Sequence, residues 1–205
     1  MKITESVLSL LREELSKHIQ GKRLEHSLSV EDEASELGRL YGLTDESLLK
    51  LRAAAILHDI TKGIGLDGQI DLCKKHGIPI RSDDMDSPKV FHSITGAEVA
   101  KSIFPDYVDE EIYSAIKYHT TGRRQMTLFE KLIYLADYIE KTRDFPDCIA
   151  LREHFYSAAP TERHLNETLL ISFDMTLKNL IEEGQSIHTD TVEARNDLIS
   201  ILKKQ

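Results

Sequence analysis

Residues 53–63 read AAAILHDITKG, where an apolar run ends in a histidine followed by an aspartate. The run from Ala53 to Leu57 closes a segment that would be apolar on nearly every side of a helix, which is typical of a helix through a protein core. An unpaired carboxylate is costly to bury, so Asp59 and the adjacent His58 need a metal ion, a cation or hydrogen-bond donors beside them. The stretch therefore predicts a buried polar site at the end of a core helix.

Helical periodicity extends from this stretch in both directions, because apolar residues recur three and four positions apart along most of the chain. No segment shows the alternation typical of a strand bounded by hairpin turns. Only the segment 77–91, with two prolines and a group of acids, lacks a regular pattern. The sequence predicts an all-α fold, and the core helix is expected to begin at Thr44 and to run to Ile60.

Composition limits the class of protein. The chain has 205 residues, 40% of them hydrophobic and 30% charged, which is enough apolar material for a core. We find no signal peptide and no apolar run near the roughly 20 residues that span a bilayer. Cys73 and Cys148 lack CxxC spacing and indicate reduced thiols in a cytoplasmic protein.

Charge restricts the partners. The net charge is −9, from 35 acidic and 26 basic residues, so bulk charge opposes binding to nucleic acid or to an anionic membrane. A polyanionic ligand would need local positive charge, from a few Lys or Arg residues or from bound cations. We therefore expect no nucleic-acid or membrane partner.

Further histidines and one aspartate lie on or beside apolar helical stretches. Imidazole with carboxylate suits Fe, Mn, Co, Ni or Zn, and the lack of thiolates argues against a structural zinc site. Six ligands exceed what one open catalytic ion needs, whereas two ions sharing a carboxylate, about 3.5–4 Å apart, recur in phosphoester chemistry. The candidate ligands are His26, His58, Asp59, His92, His119 and Asp137.

Each candidate has a plain structural alternative. A single histidine at the end of an apolar stripe is more often a hydrogen-bonded core residue, and Asp137 alone could pair with Lys141 one turn later. Lys62 alone is expected to be solvated. The joint pattern favours metal binding, and no metal role is assigned to the other histidines, which are His18, His76, His154, His164 and His188.

The order His26, His58-Asp59, Asp137 resembles the H…HD…D pattern of HD-domain metal-dependent phosphohydrolases. The wider stretches KRLEHSLSV, LHDITKG, FHSITGAEVA and YHTTGRRQMTLFEKLIYLADYIEKTRDFP resemble the YqeK-type HD proteins of bacteria. The likeness is greatest from about Arg23 to Asp147. It implies one HD-type domain over 1–205, with a core at about 20–145 and C-terminal helices, 147–205, packed on it.

The resemblance implies symmetrical hydrolysis of diadenosine 5',5'''-P1,P4-tetraphosphate to two molecules of ADP at a dinuclear centre. Iron is the expected metal, and Mn, Co and Zn stay open. The first ion would be held by His26, His58, Asp59 and Asp137. Asp59 would bridge to a second ion, completed by His92 and His119, and a hydroxide shared by both ions would attack an inner phosphorus in line.

The same resemblance implies the residues that bind substrate. Asp59 and Lys62 would be catalytic, with Lys62 supporting the charge of the leaving ADP. The expected phosphate-binding and nucleotide-binding residues are Arg23, Lys62, Thr120, Thr121, Gly122, Arg123 and Arg124. Arg124-Gln125 departs from the family pattern, as does the sequence FPD at 145–147 where FPG is expected. Neither departure touches a ligand.

Two other functions remain open at this point. HD domains also hydrolyse deoxynucleotides, cyclic nucleotides and guanosine alarmones. The chain could also be a nucleotide sensor without turnover, because a fold does not guarantee an activity. A homodimer is expected only because it is the commonest soluble assembly, and the segment 77–91 is expected to form part of a pocket wall.

Overall fold

The computed structural model describes residues 1–204. Every regular element within that range is helical, which confirms the predicted all-α fold. The α-helices are α1 (Glu5–His18), α2 (Lys22–Leu40), α3 (Asp45–Leu57), α4 (Leu66–His76), α5 (Ser82–Asp86), α6 (Phe91–Ile103), α7 (Glu110–Tyr118), α8 (Leu128–Ile139), α9 (Pro146–Tyr156), α10 (Glu162–Glu182) and α11 (Thr189–Leu202). A 3₁₀ turn, Pro88–Val90, precedes α6.

Helix α3 is the central helix of the bundle. Thr44 caps its start, accepting a hydrogen bond from the Ser47 amide at 3.2 Å. The apolar run from Ala53 to Leu57 is buried, and α1, α2, α6, α7 and α8 all pack against this helix. The apolar run therefore becomes the buried C-terminal half of α3, as the sequence predicts for a helix that enters the core.

Helix α3 ends at Leu57, so the expected end at Ile60 was wrong. Residues 58–63 form successive tight turns instead, with the Ile60 amide bonded to the Leu57 carbonyl at 3.1 Å and the Lys62 amide bonded to the Asp59 carbonyl at 2.9 Å. This tighter backbone carries His58, Asp59 and Lys62 in quick succession. The change from helix to turns thus places three polar groups at the buried end of α3.

The C-terminal helices extend the bundle from α8. Helices α9 and α10 pack on α8, and α11 packs on α10. The segment 77–91, expected to be irregular, contains the short helix α5 and the 3₁₀ turn. Among residues 1–204, no helix is long and apolar enough to cross a membrane. Cys73 and Cys148 are free, buried thiols.

Candidate metal centre

The structure brings all six predicted ligands into one cluster, here called the metal-site cluster. His26 lies on α2, His92 on α6 and Asp137 on α8, while His58-Asp59 and His119 follow α3 and α7. Four of the six are buried, namely His58, Asp59, His92 and His119. Five helices thus converge on one small volume of imidazole and carboxylate groups.

Three of the histidines are held in the same way. The Nδ1 atoms of His58, His92 and His119 lie 2.6, 2.6 and 2.7 Å from backbone carbonyls three residues earlier in the chain. A carbonyl only accepts, so each Nδ1 carries the proton and each Nε2 keeps its lone pair. Such an outer hydrogen bond is the usual support of a metal-ligating histidine.

These lone pairs face Asp59. The Oδ1 atom of Asp59 lies 3.2 Å from Nε2 of His92 and 3.6 Å from Nε2 of His119. The two imidazole Nε2 atoms are themselves 3.1 Å apart. With Nδ1 protonated, all of these atoms are acceptors, and a cluster of buried acceptors requires a cation or another donor between them.

Two atoms of this cluster lack a hydrogen-bond partner in the part of the chain that the structure describes. They are Nε2 of His58 and Oδ1 of Asp59. Buried polar atoms without partners are rare in native proteins and destabilising. A bound metal ion would satisfy both atoms, so the donor set fits a metal.

The ligand atoms fall into three groups in which all atoms lie within 4.8 Å of one another. The groups are His26, His58, Asp59; His58, His119, Asp137; and Asp59, His92, His119. Asp59 belongs to two of these groups, and so do His58 and His119. This overlap means that the six candidate ligands form one continuous cluster and not separate sites.

His26 and Asp137 form the more exposed edge of the cluster. Nε2 of His26 lies 2.9 Å from Oδ1 of Asp137, and its Nδ1 lies 3.0 Å from Oε1 of Glu140. Arg143 donates to the same Asp137 oxygen at 2.7 Å and to the Asp137 carbonyl at 2.6 Å. The alternative in which Asp137 pairs with Lys141 is wrong, because the Lys141 ammonium lies 3.3 Å from Asp32 instead.

The sequence patterns did not predict the contacts of Glu140 and Arg143 with the cluster, although both residues lie in the stretch LADYIEKTRDFP. An acid three residues after a candidate ligand shares its helical face, and that spacing could have indicated Glu140. Arg143 carries no such signal, because it reaches Asp137 only after the chain leaves the helix at Glu140.

The electrostatics follow from burial and pairing. Burial lowers the pKa values of His58 and His92 to about 4, which keeps both rings neutral and able to bind metal. Burial also lowers the pKa of His26, but its hydrogen bonds with Asp137 and Glu140 outweigh burial and raise it to about 9. Burial alone would raise the pKa of Asp137. The Arg143 charge and the His26 hydrogen bond outweigh burial and hold this pKa well below its usual range.

Asp59 is ionised for similar reasons. Burial raises its pKa, but the charge of the Lys62 ammonium, 3.7 Å from Oδ1, acts in the opposite direction, and the pKa lies well below its usual range. Both carboxylates of the cluster are therefore charged at neutral pH. The cluster supplies the negative charge that metal cations require.

Lys62 and Thr120 lie directly beside the cluster. The Lys62 ammonium is 2.9 Å from Nε2 of His92 and 3.7 Å from Oδ1 of Asp59. The Thr120 hydroxyl lies 3.2 and 3.1 Å from Nε2 of His92 and His119. Both predicted substrate-binding residues can therefore reach an anion that lies at the metal-site cluster.

The two residues that follow Thr120 in the chain pack into the protein instead. The Thr121 hydroxyl is buried and donates to the Gly122 carbonyl at 2.8 Å. Gly122 has φ +62°, and a Cβ atom there would lie 2.6 Å from the Phe173 ring and 3.0 Å from Ala194. Glycine is thus required here by both backbone conformation and space, and the substrate roles of Thr121 and Gly122 stay predictions.

The two arginines of the same stretch pair with acids away from the cluster. Arg123 donates to Oε1 of the buried Glu130 at 2.8 Å and lies over the Tyr118 ring. Arg124 is exposed, with Nε 4.0 Å from Asp197. Their substrate roles also stay predictions, while the positive charge found beside the cluster is that of Lys62 and Arg143.

Two cavities open onto the metal-site cluster from different sides. The first cavity, of 620 Å³, lies against His92, His119 and Asp137. The second cavity, of 490 Å³, lies against His26 and Asp59 and includes Arg23. Lys62 and Arg143 line both cavities. The segment 77–91 contributes Pro88 and Lys89 to the first cavity, as expected of a pocket wall.

A helical bundle with a buried histidine–aspartate cluster that could hold metal, bordered by two cavities, is the arrangement that the HD pattern describes. The HD domain profile matches residues 23–142, a span that contains all six ligands. The chain belongs to the HD-domain family.

The chain is similar to curated relatives over nearly its whole length. It is 32% identical over 196 residues to "Bis(5'-nucleosyl)-tetraphosphatase, symmetrical" of Bacillus subtilis (strain 168), covering 96% of this chain and 97% of the relative. It is also 32% identical over 177 residues to the protein of the same name in Staphylococcus aureus (strain NCTC 8325 / PS 47), covering 85% of this chain and 86% of that one.

A solved structure has the same fold. This is the crystal structure of a predicted HD superfamily hydrolase involved in NAD metabolism from Clostridium acetobutylicum, with a TM-score of 0.82 and 36% identity. The match covers 94% of this chain and 97% of that chain. The resemblance to YqeK-type HD proteins is confirmed, and the chain is an HD-type hydrolase.

Proposed function

We propose that the chain hydrolyses diadenosine 5',5'''-P1,P4-tetraphosphate symmetrically to two molecules of ADP. The observation that carries this proposal is the convergence of all six ligands, with orphaned acceptor atoms, beside the cations Lys62 and Arg143. The substrate itself is inferred from the names of relatives that match this chain over most of its length.

We assign His26, His58, Asp59 and Asp137 to one ion, and His92 and His119 with the shared Asp59 to a second. Iron is our first choice of metal, with Mn, Co and Zn as alternatives. When bound, such ions neutralise phosphate charge and lower the pKa of water toward neutrality, which is the basis of the predicted shared hydroxide.

The remaining residues position these groups and the substrate. The backbone carbonyls that bond Nδ1 of His58, His92 and His119 fix the direction of each Nε2 atom. The Lys62 ammonium, 35% exposed, faces both cavities and supports the charge that builds up on the leaving ADP. Arg143, in the segment that follows α8, offers the planar donors of its guanidinium group to the phosphates.

The test is to incubate the purified protein, with its metals as isolated, with diadenosine tetraphosphate and to separate the nucleotides formed. ADP as the sole product is expected, together with two equivalents of metal per chain by elemental analysis. AMP plus ATP would contradict symmetric attack. An absence of products from protein containing both metals would instead indicate another nucleotide substrate or a sensor.

A further inference from the structure

The two cavities at the metal-site cluster are each large enough for one nucleoside. Their volumes are 620 and 490 Å³, within the roughly 300–1,000 Å³ typical of small-molecule sites. Because Lys62 and Arg143 line both, the cavities adjoin at the two cations that flank the cluster. A ligand with charged phosphates in its middle could therefore extend into both cavities.

The two cavities differ in their lining. The first has apolar and aromatic residues in its lining, including Leu66, Pro88, Tyr134 and Tyr138, and offers them as a surface for an aromatic base. The second is lined mostly by polar and charged residues, and its one aromatic residue is Phe145. Each cavity thus includes at least one aromatic side chain in its lining.

Phe145 is unusual for a phenylalanine because 61% of its surface is exposed. It is the N-cap residue of α9 and precedes Pro146, a position that restricts its backbone to the extended region. An exposed aromatic ring on a restricted backbone, in the same cavity as Arg23, has the features of a platform on which a nucleobase stacks.

We propose that the second cavity holds the second nucleoside of a dinucleoside polyphosphate, with Phe145 as the stacking residue for its base. The other nucleoside occupies the first cavity, and the phosphate chain crosses Lys62 and Arg143. Phe145 is thereby a specificity-determining residue that favours ligands with two nucleosides over those with one. This inference rests on the proposed function, since a substrate with one nucleoside leaves one cavity empty.

Phe145→Ala in the metal-loaded protein tests the inference directly. Loss of a base-stacking ring is worth about 1–3 kcal/mol, so we expect KM for diadenosine tetraphosphate to rise about 10-fold while kcat stays within about 2-fold. Calorimetric titration with ADP is the second measurement, and it does not depend on turnover. We expect two ADP molecules per chain in the wild type, and in Phe145→Ala one of the two sites should bind about 10-fold more weakly.

Two control variants separate stacking from a general surface effect. Phe145→Tyr keeps the ring and should retain the wild-type KM and both ADP sites. Ile181→Ala removes a side chain that is 67% exposed on α10 and lies against a different cavity, so it should change neither quantity.

The outcomes distinguish this inference from the proposed function. An unchanged KM in Phe145→Ala, with ADP still the sole product of the wild type, would overturn the role of Phe145 and leave the proposed function standing. A single ADP site in the wild type would overturn the two-cavity arrangement. A wild type that binds two ADP molecules, one of them through Phe145, but does not cleave diadenosine tetraphosphate would support the second site and contradict the proposed reaction.

Discussion

Within residues 1–204 the structure contains two clusters of histidine and aspartate, and one of them leaves its acceptor atoms free for a metal. The second, here called the α11 cluster, consists of Asp83, Asp84 and His188 with Arg81, and its three potential ligands also lie within 4.8 Å of one another. Nε2 of His188 is 3.0 Å from Asp84, and the Arg81 guanidinium is 2.9 Å from the same nitrogen. In the α11 cluster an arginine therefore supplies the positive charge.

The difference lies in which ring nitrogen the protein bonds. In the metal-site cluster, Nδ1 of His58 donates to a carbonyl and Nε2 has no partner among residues 1–204. In the α11 cluster, Nδ1 of His188 accepts from the Asp190 amide at 3.2 Å as a helix cap, which assigns the proton to Nε2. The same residue types thus leave acceptor atoms free for a cation in one place and join a loop to a helix in the other.

The largest expected effect comes from matched carboxylate changes in the two clusters. Asp59→Asn should remove both metals and lower turnover of diadenosine tetraphosphate by at least about 100-fold, because the shared ligand loses its charge. Asp84→Asn should leave metal content and turnover unchanged. Elemental analysis and product assays measure both. Full metal content in Asp59→Asn would contradict the assignment of this residue as the bridge.

Arg143 and Arg81 extend the comparison, because each donates a hydrogen bond to an aspartate of its own cluster. Arg143→Lys should lower kcat/KM about 10–100-fold, because an ammonium cannot reproduce the two bonds to Asp137 and still face a phosphate. Arg81→Lys, made in the α11 cluster, serves as the control and should leave kcat/KM unchanged. Equal kinetics in both variants would show that Arg143 has only a structural role.

The convergence of the candidate ligands could be predicted from the sequence because each sits in a local pattern that helical periodicity places. His58-Asp59 ends a core helix, and Asp137 interrupts an apolar run, so burial and polarity conflict at both places. The hydrogen-bond partner of Arg123 could not be predicted from a local pattern. That partner is the buried Glu130, which caps the start of α8 and then accepts from Arg123.

The α11 cluster shows the same limit over a longer distance. Asp84 and His188 are 104 positions apart, so their hydrogen bond exists only once the segment 77–91 packs against the start of α11. His188 was therefore assigned no metal role, and its cap and ion-pair partners were not foreseen. Local patterns predict what a residue needs, whereas tertiary packing decides which group meets that need.

His188→Ala is expected to act on stability alone. It removes the cap of α11 and leaves the buried Asp84 with one partner fewer, so the free energy of unfolding should fall by about 2–4 kcal/mol. Urea unfolding at pH 7 measures the loss, with His18→Ala as a control at a more exposed position. Metal content and kcat should not change. Loss of metal in His188→Ala would mean that the two clusters are coupled.

The smallest expected effect concerns pH and the metal-free protein. In the folded protein the pKa values of His58 and His92 are about 4, below their ordinary value of 6.5. Between about pH 4 and pH 6.5 the unfolded chain therefore binds protons that the folded chain does not. The free energy of unfolding should therefore fall by about 1–2 kcal/mol as pH drops from about 6.5 to 5.5.

The third perturbed histidine should act on the other side of neutrality. The pKa of His26 is raised to about 9, so its stabilisation is fully present below 6.5 and is lost only as pH rises toward 9. Urea unfolding with a chelator at several pH values should thus give a maximum near pH 6.5. His92→Asn should reduce the acid loss to about half, since one of the two buried neutral rings is gone. A free energy of unfolding that does not change below about pH 6.5 would show that burial does not keep the His58 and His92 rings neutral. The electrostatic contrast with the α11 cluster, where Arg81 supplies the positive charge, would then be wrong.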